Sequence, residues 1–135
     1  MTIPTILVVQ DDTLNLELVR DVLLKASMKV VEARTAHEGL RAALELAPAV
    51  ILLDIRLPDM DGFAALGQLK SNPATASIPV VALTAQAMTG DQERALAAGF
   101  SDYIPKPIDT RTLADRIRAL LAPGQPRRTA GSEAA

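Results

Sequence analysis

Apolar residues along this chain fall into two alternating arrangements. Short, nearly continuous runs, "TILVV" at 5–9, "MKVVEA" at 28–33, "AVILLD" at 49–54, "IPVVALTA" at 78–85 and "SDYIP" at 101–105, have the length and β-branched character of strands. The segments between them repeat their apolar positions every three or four residues, which is helical spacing. "DTLNLELVRDVLLKA" carries Leu16, Val19 and Leu23 with a parallel row at Leu14, Leu18 and Val22, and Asp12 is placed to cap its start. "AHEGLRAALELA" gathers Leu40, Ala43, Leu44 and Ala47 on one face and stops at Pro48, while "GFAALGQLKS" ends at Asn72-Pro73. A fourth helix opens with Thr89 and Gln92 in capping-box spacing and stops at Gly99, and "DTRTLADRIRALLA" closes the series with Leu113, Ile117 and Leu120 inward.

Five strand–helix units whose central strands are almost wholly apolar predict an α/β domain over residues 1–122, a doubly wound parallel sheet covered on both faces, for which 2-1-3-4-5 is a common strand order and the one expected here. The remainder, "PGQPRRTAGSEAA" at 123–135, has turn formers and no core residue, so a flexible tail is expected. A chain of 135 residues is long enough to bury one real core and too short for two ordinary domains.

Composition acts mainly by exclusion. With 14 Lys plus Arg against 16 Asp plus Glu and no dense basic block, the chain lacks the electrostatic footprint of a nucleic-acid binder. It has no cysteine, hence no disulfide framework and no thiolate metal site, which fits a reducing compartment. The longest unbroken apolar run, "AVILL", is far below membrane-spanning length, and a soluble, cytoplasmic protein is expected.

Candidate chemistry appears when polar residues are placed on this frame. In open α/β sheets ligands collect beyond the carboxyl ends of the strands. Those ends carry Gln10, Asp11 and Asp12 on the first strand, Asp54 on the third, Thr84 on the fourth and Lys106 on the fifth, with nothing comparable on the second. Carboxylates from adjacent strands suit a hard cation such as Mg²⁺, which takes oxygen ligands and keeps several waters. A hydroxyl and an ammonium opposite would grip phosphoryl oxygens, and one carboxylate would be the nucleophile that forms an acyl phosphate. Spacing alone leaves open which one.

The ordered set "LVVQDD", "ILLDIRLPDMDG", "VVALTA" and "YIPKP", spread from Ile6 to about Ala122, resembles the receiver domain of bacterial two-component response regulators, a flavodoxin-like (βα)5 fold. "DTLN" after the acids and "AMTGDQERALAAG" before the last strand are similar to stand-alone DivK-like receivers and those attached to hybrid histidine kinases. The resemblance implies that Asp54 accepts phosphate and that Mg²⁺ is held by Asp11, Asp54 and the backbone carbonyl of Arg56. By the same likeness Thr84 is the switch hydroxyl, Tyr103 the aromatic switch and Lys106 the phosphate-contacting lysine, with a cis bond to Pro107. Implied partners are a histidine kinase or histidine phosphotransfer protein and a downstream effector protein.

Gln10 departs from the pattern, because such families usually place Glu or Asp there. A one-residue slip making Asp11 and Asp12 the acidic pair would turn every side chain of the first strand to the opposite face. Gln10 is therefore expected to weaken Mg²⁺ binding, leaving only a water-mediated contact, by the roughly 10 to 100-fold that loss of an outer partner costs.

Other motifs carry little. "DMDG" at 59–62 lacks the acid that a calcium loop needs where Leu57 stands, and reads as a turn. His37 is expected to be solvated, Met28, Met60 and Met88 to fill gaps, and Arg111, Arg116 and Arg118 to form a solvated helix face. An enzyme on this frame fits poorly. A dehalogenase-type phosphatase wants a second Asp where Arg56 stands, and a flavodoxin-type binder wants a phosphate loop where Asp11 and Asp12 stand. Two function classes follow: a phosphorylation-dependent switch acting through helix four, strand five and helix five, and as the alternative a phosphate-independent scaffold, which Gln10 makes harder to dismiss.

Overall fold

A computed structural model describes residues 3–84 and 89–121. The chain runs β1 (Thr5–Val9), α1 (Thr13–Lys25), β2 (Lys29–Ala33), α2 (Ala36–Leu46), β3 (Val50–Asp54), α3 (Gly62–Ser71), β4 (Val80–Thr84), α4 (Thr89–Ala98), β5 (Asp102–Pro105) and α5 (Leu113–Leu121). All strand pairs are parallel, in the order β2-β1-β3-β4-β5. This is the predicted doubly wound sheet. The expected tail lies outside the described residues, as do Met88 and the side chain of Thr89, on which the capping box depends.

Alternation along the strands sorts the core into two layers. Leu7, Val9, Ile51, Leu53 and Ala82 face the small and apolar residues of α2, α3 and α4, including Ala36, Ala43, Ala65, Leu66 and Ala95. Ile6, Val8, Leu52, Leu83 and Ile104 face Leu16, Val19 and Leu23 of α1 and Leu113 and Ile117 of α5. Each fully buried Val, Leu or Ile among them contributes about 1.5–3 kcal/mol of transfer free energy, which is why the apolar runs settle in the sheet interior.

Helix starts follow local polar chemistry. Asp12 caps α1 by accepting from the backbone N–H groups of Leu14 and Asn15, Thr35 caps α2 through Glu38, and Asp61 caps α3 through Phe63. Gly99, at φ +117°, ends α4 in the left-handed region that favours glycine.

Three details of the helices emerge only from the packing. The second row on α1 is divided: Leu14 is 67% and Leu18 40% exposed, while Val22 packs partly buried against the core. On α2 the inward face is Ala36, Gly39 and Ala43, with Leu40 partly buried, while Leu44 and Ala47 are exposed. The reason is proximity: a Cβ on Gly39 would stand 2.7 Å from Val9 Cγ2, so the helix lies too close to β1 for a row of leucines. The last helix begins at Leu113, four residues later than the sequence suggests, because Asp109 accepts from the Arg111 N–H (2.9 Å) and holds the chain in a turn first.

Candidate functional site

Register sets the site. β1 places Val9 beside Leu53 of β3, so position 10 follows beside Asp54, and β4 pairs Thr84 with Pro105 of β5, just before Lys106. The four strand ends thus deliver Gln10 and Asp11, Asp54, Thr84 and Lys106 along one edge in the predicted sequence. Backbone bonds lock the loops there: Ile55 N–H donates to Leu83 O (3.0 Å) and Lys106 N–H to Thr84 O (2.7 Å).

Asp54 is the centre of this edge. It is 3% exposed, and its two oxygens are engaged separately. Oδ1 accepts from the Arg56 backbone N–H at 2.9 Å, and Oδ2 accepts from Lys106 Nζ at 2.6 Å. The Lys106 side chain is itself only 17% exposed, so this is an ion pair in a poorly solvated place. The Lys106–Pro107 peptide bond is cis, as expected. Thr84 and Tyr103 are buried, at 5% and 6% exposure, with Tyr103 in the layer that faces α2, α3 and α4.

Asp11 is exposed beside this buried carboxylate. The sequence reading gave the edge strand β2 no part in the site, and that was incomplete. Arg34, the residue after β2, donates from Nη1 to the Asp11 carbonyl (3.0 Å) and from Nη2 to Thr13 Oγ1 (2.7 Å), bracing the loop that carries Asp11. Its only sequence signal is an arginine directly after a strand.

Gln10 is fully buried, and neither Nε2 nor Oε1 has a hydrogen-bond partner among the described residues. Its backbone is in order, with N–H donating to Ala33 O (2.9 Å). The strand has not slipped.

"DMDG" is a turn, yet Asp59 within it has a task that the sequence reading missed. Its carboxylate accepts from the backbone N–H groups of Ala36 (2.8 Å) and His37 (3.0 Å) at the start of α2, and it pairs with His37 Nδ1. His37 is therefore partnered, although its side chain is largely exposed. Burial alone would raise the Asp59 pKa, but the donors from Ala36 and His37 outweigh it and lower the value from 3.8 to about 2. A depressed carboxylate pKa stabilises the fold above the unfolded value, and that contribution is lost as pH falls through the folded one. Urea midpoints of Asp59→Asn and the unsubstituted chain are thus expected to differ by a constant margin from pH 7 to about 5 and to converge between 3.8 and about 2.

Arg116 also departs from the solvated-face expectation. It donates to both Asp102 oxygens (3.0 and 2.9 Å) and to Tyr103 O (2.9 Å), tying α5 to β5. Arg111 pairs with Asp109, and Arg118 with Asp115.

The donor set suits a hard divalent cation. Two carboxylates, Asp11 and Asp54, emerge from adjacent strands, and the Arg56 carbonyl lies in the loop that Asp54 anchors, a set that matches Mg²⁺ binding through one or two carboxylates plus waters. Among the described residues no group of three or more His, Cys, Asp or Glu forms a metal centre, so carbonyl and water oxygens would complete the shell.

The family model of the response regulator receiver domain matches residues 6–118. The chain is a response-regulator receiver domain. This receiver is 36% identical over 117 residues to the polar-differentiation response regulator DivK of Brucella ovis, covering 87% of this chain and 95% of the relative. Its fold is similar to a putative response regulator from Chloroflexus aurantiacus, with TM-score 0.84, 29% identity and coverage of 89% and 98% of the two chains. It is also similar to the receiver domain of a sensor histidine kinase from Pseudomonas aeruginosa, with TM-score 0.81, 29% identity and coverage of 89% and 98%, a structure described with magnesium coordinated in its active-site cleft. Receivers of this family are signalling regulators of bacterial two-component systems. No helix of this receiver, among the described residues, is long and apolar enough to cross a membrane.

Proposed function

We propose that this receiver accepts a phosphoryl group on Asp54 and that the modification switches a protein-binding surface. The observation that carries the reading is the 2.6 Å ion pair between the buried Asp54 at the end of β3 and the half-buried Lys106 directly after β5, at the edge where Asp11 also emerges. An Asp54 oxygen attacks the phosphorus of a phosphohistidine or a small acyl phosphate, a P–O bond forms, and the P–N or P–O bond to the donor breaks, the leaving group keeping the electron pair. Mg²⁺, bound by Asp11, Asp54 and the Arg56 carbonyl, would neutralise the charge that gathers on the phosphoryl oxygens. Lys106 shifts from Asp54 to the new phosphoryl oxygens, and the Thr84 hydroxyl donates to them, drawing on β4. Thr84 and Tyr103 then bias α4, β5 and α5 between two packings.

The donor is a histidine kinase or histidine phosphotransfer protein in the cytoplasm, and the exposed Leu14 and Leu18, on the helix that follows Asp11 and Asp12, would offer it apolar surface. The readout is a downstream effector protein, with neither nucleic acid nor membrane engaged by this chain.

A second reading, a scaffold that works without phosphate, is kept open by Gln10, an amide where the resemblance places a carboxylate. Incubation with Mg²⁺ and acetyl phosphate separates the two. A mass gain of one phosphoryl group, absent in Asp54→Ala and absent with a chelator, is expected; an unchanged mass at saturating Mg²⁺ selects the scaffold.

A further inference from the structure

Gln10 is the one buried side chain whose polar atoms are both unsatisfied among the described residues. Leaving an amide in that state opposes folding, and native chains keep such groups mainly where something else uses them. Its place is informative. Gln10 follows Val9, whose partner on β3 is Leu53, and so stands beside Asp54, inside the rim on which Asp11 is exposed.

Charge at this position acts oppositely on the two things the site would hold. Asp11 and Asp54 bring two negative charges and Lys106 one positive, so a bound dication leaves the site formally positive. Converting Asp54 to an acyl phosphate replaces one negative charge by nearly two and brings the cation-loaded site close to neutral. A glutamate at position 10 would neutralise the unphosphorylated, metal-bound form instead and repel the phosphoryl group. An amide also has N–H donors, whereas an ionised carboxylate only accepts.

We propose that Gln10 is a specificity-determining residue that disfavours the merely metal-loaded site and favours the phosphorylated one, its unpartnered amide being satisfied only when the site is full. This rests on the phospho-acceptor reading above. No described protein group answers the amide, and the filled site would supply its partner.

Two substitutions separate charge from hydrogen bonding, with Mg²⁺ and beryllofluoride, an analogue of the phosphoryl group, as probes followed by calorimetry. Gln10→Glu is expected to tighten Mg²⁺ binding about 10 to 100-fold and, at saturating Mg²⁺, to weaken beryllofluoride binding roughly tenfold through repulsion. Gln10→Met keeps the charge and the length but removes the amide. Its thermal midpoint is expected to rise while beryllofluoride affinity at saturating Mg²⁺ falls roughly tenfold, the loss of a hydrogen bond to a charged group. Opposite movement of stability and binding is what a purely structural role would not produce. The proposal is overturned if Gln10→Met lowers the midpoint and leaves beryllofluoride binding unchanged, or if Gln10→Glu binds beryllofluoride as tightly as the unsubstituted chain. Should the unsubstituted chain itself ignore beryllofluoride in Mg²⁺, or bind it equally after Asp54→Ala, the phospho-acceptor reading fails first, and the variants are not needed to show it.

Discussion

Lys106→Met is expected to be the most damaging single change at the site. It removes the ammonium 2.6 Å from Asp54 Oδ2 and leaves that carboxylate, 3% exposed, bonded to the Arg56 N–H but without its counter-charge. Stranding one member of a buried ion pair costs about 3–5 kcal/mol, because the surviving charge keeps its desolvation penalty without its counter-charge. The same change removes the cation that would follow the phosphoryl group, so phosphoryl uptake from acetyl phosphate is expected to fall by about two orders of magnitude, the scale of losing one strong electrostatic contact in a transition state. A double-mutant cycle checks the cause. Adding Asp54→Asn to Lys106→Met should restore most of the lost stability and none of the phosphorylation, measured by urea unfolding and by mass. If stability stays low in the double variant, loss of Lys106 packing is responsible and the ion-pair argument is wrong.

Gly62→Ala is the second large effect, and it acts through backbone. A Cβ at this first residue of α3 would stand 2.5 Å from Ile55 Cα and 2.8 Å from Asp54 O, distances that real side chains do not adopt. These are main-chain atoms of the loop that leaves β3, and Gly62 N–H is bonded to Ile55 O at 2.7 Å, so no flexible side chain can give way. The loop must shift, at about 3 kcal/mol, the upper range for overpacking, and it carries the Arg56 carbonyl with it. Both the unfolding midpoint and the Mg²⁺ affinity should therefore drop. Gly67, in the same helix, is the matched control. Nothing lies within 4 Å of its added Cβ, and Gly67→Ala is expected to stabilise the chain by about 0.5–1 kcal/mol through helix propensity alone. Equal behaviour of the two variants would refute the close-approach argument.

What the sequence shows and what it hides divide along the range of the interaction. Strand β1 and helix α3 have the predicted bounds, and Asp12 caps the predicted helix, because apolar runs and capping residues act over a few positions. The parallel sheet followed from the alternation of elements and the order 2-1-3-4-5 from the common arrangement of such folds, and parallel strands bring Asp54 and Lys106 to one edge. The failures are matters of distance between elements. Leu44 looks inward on a helical wheel, yet α2 lies so close to β1 that glycine and alanine take the inner positions. Arg34 with the Asp11 carbonyl, Asp59 with the start of α2, and Arg116 with Asp102 are pairings between loops and helix ends remote in sequence, and no local pattern marks them. Gln10 was visible as a departure from the family pattern; that its amide is buried with no partner among the described residues came only from the packing around it.

The central claim is that one particular carboxylate, Asp54, becomes an acyl phosphate. Borohydride reduces an acyl phosphate to an alcohol and leaves free carboxylates alone, so reduction after treatment with acetyl phosphate and Mg²⁺, followed by peptide mass mapping, reads the modified residue directly. The account predicts homoserine at position 54 and unmodified aspartate at positions 11, 12 and 59. Reduction at any of those three with Asp54 intact, or at none, would contradict it.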